Sequence, residues 1–381
     1  PWINMKSIIC ENFGPLDTLI YKEIDIPKIK NPDDILIKVF SSGVNFPDGL
    51  LVQGKYQLKP PVPFTPGMEV SGEVFKIGSG VTEFKIGDRV AGLSQLGGYS
   101  EYNLLNKTSV YKIPIEMEHD QACALLCAYG TSHYALKQRA KLKKGDTLVV
   151  LGASGSTGIA AIQIGKIMGA KVIAAASSIE KQNYTKSLGA DITIGYENIK
   201  DQLKELTNNK GVDVIFDPVG GELFEESSRA LSRYGKILVI GFASGKIPKF
   251  PINLALVKEF DIVGVFWGAF TRNNTDAFKE NMNELFNWFK DGKINPQIEE
   301  KFKLQDASKA LDKILNRGTK GKVILYPWLK STLNKANYKF VNFKYHNELI
   351  DIAKEEANKL HNKKNNKKKE INLLLKIFQN S

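Results

Sequence analysis

Two rhythms of apolar and polar positions divide the chain. Between about Leu142 and Val265, apolar runs at Thr147–Leu151, Lys171–Ala176, Asp213–Asp217, Lys236–Ile240 and Asp261–Val265 alternate with longer mixed stretches. Those stretches, Thr157–Met168, Glu180–Leu188, Ile199–Leu206 and Glu222–Leu231, read as helices. Strands apolar on both faces, with helices between them, predict a parallel, doubly wound α/β sheet. The region up to about Cys127 differs: Ile35–Phe40 and Val70–Ile77 alternate apolar with polar, and Gly and Pro punctuate the runs. That punctuation predicts the short strands of an irregular β domain. After Phe266 the pattern is helical over Asn274–Lys290 and Asp306–Asn316, then strand-like over Gly321–Tyr326 until Pro327. This last part is too short for a core of its own and is expected to complete the first domain.

The chain has 381 residues, room for two or three domains, and an ordinary globular composition. Its net charge of +12 invites a nucleic-acid reading. Residues 329–381, however, hold 12 Lys against 5 acidic residues, so the excess belongs mostly to a basic tail. Within it the Asn362–Lys369 run is too polar to bury and is expected to be disordered. Amphipathic pieces around Lys344–Leu360 and the apolar Ile371–Phe378 make a nucleic acid or a membrane surface the conceivable partners of this tail. The three cysteines, Cys10, Cys123 and Cys127, are few and odd in number, which fits a reducing, cytoplasmic compartment. No apolar run reaches about 18 residues, and the first 25 lack a signal-peptide layout. Met5 is the first methionine, so Pro1–Asn4 read as an upstream remnant.

The strongest chemical motif is Thr147-Leu-Val-Val-Leu-Gly-Ala-Ser-Gly-Ser-Thr-Gly158. An apolar strand feeds a small-residue turn that opens a helix, the arrangement that lets backbone N–H groups and the helix dipole receive a pyrophosphate. Ala153, Gly155 and Gly158 match the fingerprint, and Ser154, Ser156 and Thr157 fill the turn between them. At the end of the second strand an acidic residue would select NAD. The sequence instead offers Ser177, Ser178 and Lys181, with Glu180 as the nearby acid; donors and a cation suit a 2′-phosphate, so the expected cofactor is NADPH. Ser177 is equally suited to cap the following helix.

Further segments resemble a family. Gly43-Val-Asn-Phe-Pro-Asp48, Gln53-Gly-Lys-Tyr56, Pro66-Gly-Met-Glu-Val-Ser-Gly-Glu-Val74 and Lys85-Ile-Gly-Asp-Arg-Val90 resemble medium-chain dehydrogenase/reductases. With Gly241-Phe-Ala-Ser-Gly245 and Gly318-Thr-Lys-Gly-Lys-Val-Ile-Leu325, the chain is most similar to their zinc-free quinone oxidoreductase, zeta-crystallin-like branch. The resemblance implies a GroES-like domain from residues 5–127 and 266–328. It implies a Rossmann domain over 128–265 and leaves 329–381 as an extension.

Relative to the family's zinc enzymes, Asn45 stands at a ligand cysteine, Met68 at a ligand histidine, and only Cys127 keeps a ligand-type residue. Ala91–Leu104 also lacks the cysteines of the structural zinc lobe. No metal is therefore expected. Hydride transfer without a Lewis acid suits an electron-poor acceptor: a quinone first, an enone, alkenal or enoyl-thioester as the alternative. Asn45 is the candidate donor to acceptor or cofactor. By resemblance Tyr56 is a proton donor, with a plain loop tyrosine over the cleft as its other reading. By resemblance too, Thr131 and Phe242, Ala243 and Ser244 line the nicotinamide, with Phe266 and Trp267 as a second wall. The same resemblance implies that Tyr196 lies near the adenosine phosphate and that Arg317 reaches the 2′-phosphate from the other domain. The family implies a homodimer formed near Phe260–Val265, and some relatives serve instead as lens or nucleic-acid-binding proteins. His119, beside acids, reads as surface, and Asp48 as a turn cap.

Overall fold

The computed structural model describes residues 4–328, apart from the side chain of Arg317. Expectations about the tail, and about the Arg317 side chain, fall outside the described residues.

A six-stranded, wholly parallel sheet forms from the second rhythm. Its spatial order is Ile192–Ile194, Lys171–Ala175, Thr147–Val150, Val212–Asp217, Leu231–Val239 and Asp261–Gly264. Numbered along the chain this is 3-2-1-4-5-6, the doubly wound order that leaves a crevice beside the first strand. Alternate side chains feed two cores. Leu148 and Val150 join a cluster with the helices His119–Tyr134, Ser156–Ile167 and Thr275–Lys290, while Val149 and Leu151 join Ile173, Ile215, Ile199 and Phe224 on the other face. Val149 pairs with both Ile173 and Ile215, so the period of two is carried across the sheet in register. Being buried on both sides, these strands read as continuous apolar runs.

The other domain is a seven-stranded sheet ordered Ile298–Lys303, Lys322–Tyr326, Asp34–Val44, Glu69–Ile77, Arg89–Leu93 and Val110–Lys112, with Tyr102–Asn106 also on Asp34–Val44. The late strand Lys322–Tyr326 runs antiparallel to Asp34–Val44, pairing Val323 with Val44 and Leu325 with Ser42. Helix His119–Tyr134 continues through positions 127 and 128 and packs on strands of this sheet as well as on helix Ser156–Ile167. Beyond these, an isolated parallel bridge joins Gly155 to Gly321.

Candidate active site

The cofactor end is built at the crevice. Strand Thr147–Val150 ends in a turn that Gly152 enters at φ +56°, and helix Ser156–Ile167 begins directly after Gly155. Gly155 N–H donates to the Gly152 carbonyl at 3.1 Å, which closes the turn. Gly158 sits where a Cβ would lie 2.5 Å from that same carbonyl oxygen and 2.8 Å from Ala153 backbone atoms. A Cβ on Gly155, by contrast, would meet only the Gly152 oxygen at 3.5 Å, so this side of the turn is open to a ligand. The first helical N–H groups after it lack intrahelical partners, an anion cradle. Tyr196 is brought here: its hydroxyl accepts the Gly152 N–H at 3.1 Å.

The turn is tied across the crevice. Ser154 Oγ donates to the Thr319 carbonyl at 3.2 Å, and Ser156 Oγ to the Gly321 carbonyl at 3.3 Å. Thr157's carbonyl accepts Ser132 Oγ at 2.8 Å, which sets Thr157 against the helix that carries Thr131. At the second strand's end Lys181 Nζ lies 3.5 Å from Ser177 Oγ and close to Gly318. Capping falls to Ser178, not Ser177: Ser178 Oγ accepts the Lys181 N–H at 3.2 Å, leaving the Ser177 hydroxyl beside the ammonium. Glu180 pairs with Lys320, a cation at this rim that sequence reasoning missed.

Among the residues expected to line the nicotinamide, Gly130 has no room for a Cβ because Trp267 lies against it, so Trp267 packs beside Thr131. Phe266 is 53 % exposed and stacks with the Arg272 guanidinium. Ala243 and Ser244 N–H groups donate to Pro218 and Val219 carbonyls at 3.0 Å each. Ala243 and Ser244 thus present carbonyls and side chains rather than free N–H groups, while the Phe242 carbonyl accepts the Gly245 N–H at 2.8 Å.

Across from this lies a buried polar network that the sequence did not announce. Asn45, partly exposed, starts helix Phe46–Val52, a position where asparagine favours capping. Its side chain also turns inward: Asn45 Oδ1 accepts from Lys322 Nζ at 2.6 Å, and Asn45 Nδ2 donates to Glu69 Oε1 at 2.8 Å. Lys322 also forms an ion pair with Glu69; both side chains are sealed from solvent, at 1 % and 0 %. The second Glu69 oxygen accepts the Cys127 N–H at 2.8 Å. Burial pulls the Lys322 ammonium down, but Glu69 overrides it and holds the group above the ordinary lysine range. Burial, and then Glu69, push the Cys127 thiol well up, so it stays protonated.

Asp48 lies behind Asn45. Its Oδ2 accepts the Asn45 N–H at 2.9 Å and the Tyr99 hydroxyl at 2.7 Å, while its buried Oδ1 has no partner. It does cap the helix, but complete burial raises its carboxyl from 3.8 to about 7. Tyr56 is half-buried nearby; burial, then Asp48, raise its phenol, which keeps its proton. His119, expected at the surface, is buried, bonds Ser71 Oγ through Nδ1 at 2.8 Å, and is lowered by burial to about 4.

The raised Asp48 carboxyl has a thermal signature. Between its unfolded value near 3.8 and its folded value near 7 the native chain binds the extra proton, so stability falls as pH rises through that window. Asp48→Asn keeps an oxygen for both donors. It is expected to reduce the loss of Tm between about pH 5 and pH 8 by roughly 5 °C, measured by calorimetry. Superimposable wild-type and variant profiles would contradict the burial argument.

A doubly wound sheet with a pyrophosphate turn, tied to a β domain by Ser154, Ser156 and the bridge from Gly155 to Gly321, defines a dinucleotide-dependent oxidoreductase. Comparison with known proteins narrows this. The zinc-binding dehydrogenase profile matches residues 156–288, and the alcohol dehydrogenase GroES-like domain profile matches residues 31–115. Quinone oxidoreductase-like protein 2 homolog of Nematostella vectensis is 39 % identical over 325 residues, 84 % of this chain and 88 % of that one. The quinone oxidoreductase of Pseudomonas syringae superposes with a TM-score of 0.80 at 31 % identity, covering 85 % of this chain and all of that one. The Escherichia coli quinone oxidoreductase complexed with NADPH gives 0.79 at 28 %, over 84 % and 100 % of the two chains. The chain belongs to the medium-chain dehydrogenase/reductase superfamily, in its quinone oxidoreductase-like branch.

That superfamily includes zinc enzymes, so the fit of a metal is a question for these residues. At the corresponding positions stand an amide, a thioether and a thiol held protonated, and the Lys322 ammonium sits on the Asn45 oxygen and the Glu69 carboxylate. Zinc requires thiolate, imidazole or carboxylate ligands free to coordinate. This donor set does not fit it.

Proposed function

We propose that this chain is an NADPH-dependent reductase that passes hydride to a quinone in the cleft without zinc. The observation that carries this reading is the internal ammonium–carboxylate–amide network standing opposite a complete dinucleotide turn. NADPH, when bound, supplies a hydride from its nicotinamide ring. The N–H groups after Gly155 hold the pyrophosphate, while Ser177 and Lys181 favour the 2′-phosphate. Thr131, Phe242–Ser244, Phe266 and Trp267 form the walls that hold the ring, and Tyr196 fixes the turn. Orientation of donor and acceptor contributes about 7–11 kcal/mol at best. Asn45 donates to the oxygen that gains charge, and Tyr56, kept protonated at its Oη, supplies the one proton that must follow.

The test is NADPH oxidation with a quinone, an enone and an enoyl-CoA. Quinone turnover is expected to exceed the others by about tenfold or more, with Tyr56→Phe slower by about 10- to 100-fold. Turnover of enoyl-CoA alone, abolished by Tyr56→Phe, would replace the quinone reading with an enoyl reductase.

A homodimer is part of the proposal. Strand Asp261–Gly264 is a sheet edge with no further strand beside it among the described residues, and Ile252, Leu256, Val257 and Ile262 are exposed. An exposed edge next to an apolar patch suits pairing with a second copy. Light scattering is expected to give twice the chain mass, and Leu256→Glu with Val257→Glu to give monomers. A wild-type monomer would remove this part.

A further inference from the structure

We infer that Lys322 is a positioning residue for the reaction, acting through Asn45; the inference rests on the reductase reading above. An asparagine amide is symmetric in shape and can flip. Here its oxygen is claimed by an ammonium at 2.6 Å and one of its N–H groups by Glu69 at 2.8 Å, so a single orientation satisfies both neighbours. The second Nδ2 hydrogen has no partner among the described residues, and Asn45 is the member of the network that is not buried. A cation on the carbonyl oxygen also polarises the amide, which strengthens that N–H as a donor in a low-dielectric pocket. Lys322, 1 % exposed and paired with Glu69, has almost no surface to offer a ligand. Its contribution is to aim and sharpen the Asn45 donor toward an oxygen that gains charge.

The helix start holds the backbone beneath the amide: Asp48 Oδ2 accepts the Asn45 N–H at 2.9 Å, and the Asn45 carbonyl accepts the Asp48 N–H at 3.0 Å. Glu69 keeps Lys322 charged, and no Cβ would fit on Gly43, which passes against the Glu69 carboxylate. The Glu69 and Lys322 side chains reach no solvent, so a surface role for this pair is excluded.

The experiment is a mutant cycle with the acceptor, quinone or enone, that the wild type reduces. A failed substrate reading then appears as a change of acceptor, separate from the result of the cycle. Lys322→Met alone leaves a buried carboxylate and endangers folding, so it is paired with Glu69→Gln, which removes both charges and leaves Asn45 an amide oxygen. The paired variant is expected to keep NADPH affinity within about twofold by fluorescence titration and to lose about 10- to 100-fold in kcat. Asn45→Ala is expected to lose a similar factor. Adding Asn45→Ala to the paired variant is expected to lose no more than about twofold further, because both changes remove one donor. Multiplying losses, or wild-type kcat in a folded paired variant, would overturn the inference.

Discussion

Replacing Gly158 by Ala is expected to weaken NADPH binding by about 100-fold or more and to lower Tm. The added Cβ would come 2.5 Å from the Gly152 carbonyl oxygen, and both are backbone-fixed. Neither can yield without opening the turn, and a shift of about 1 Å in such a cradle costs about two orders of magnitude. Gly155→Ala separates the two effects. Its Cβ meets only one atom at 3.5 Å, so Tm should hold within about 2 °C while the methyl group obstructs the pyrophosphate. NADPH titration beside a thermal melt checks both, and equal behaviour of the two variants would contradict the geometry.

Lys322→Met, made alone, is expected to cost about 3–5 kcal/mol in urea unfolding, because Glu69 is left as an uncompensated buried charge. Glu69→Gln in the same chain should return most of that loss. The sign is informative: a buried ion pair is a poor source of net stability, so the neutral pair need not be weaker than the original. A single Lys322→Met variant as stable as wild type would mean that Glu69 finds water or a proton that the packed network excludes.

What was legible in the sequence follows from what local physics dictates. The turn at Gly152–Gly158 could be read because close backbone approach leaves few residue choices, and the sheet because double burial makes uniform apolar runs. Strand Ile192–Ile194 escaped notice because three residues carry no period. The Asn45–Glu69–Lys322 network was hidden for another reason. Its members come from positions 277 and 24 residues apart, and Lys322 sits in an apolar run where a lysine reads as a solvated edge. Asp48 could be read as a helix cap, but its full burial depends on Tyr99, a partner 51 residues away. His119 was misread because Glu118 and Asp120 flank it in sequence, while the fold turns its ring inward onto Ser71. Between Ser177 and Ser178, adjacent and chemically alike, only the helix start decides which caps.

The bridge between Gly155 and Gly321 fastens the cofactor turn to the segment that leads into strand Lys322–Tyr326. Ser154 and Ser156 fasten the cofactor turn to Thr319 and Gly321, and the next residue is Lys322, beneath Asn45. The cofactor turn and the Asn45 amide are thereby joined through one short run of backbone and hydrogen bonds. A displacement of Thr319 to Gly321 is therefore transmitted to both the dinucleotide turn and the Asn45 amide.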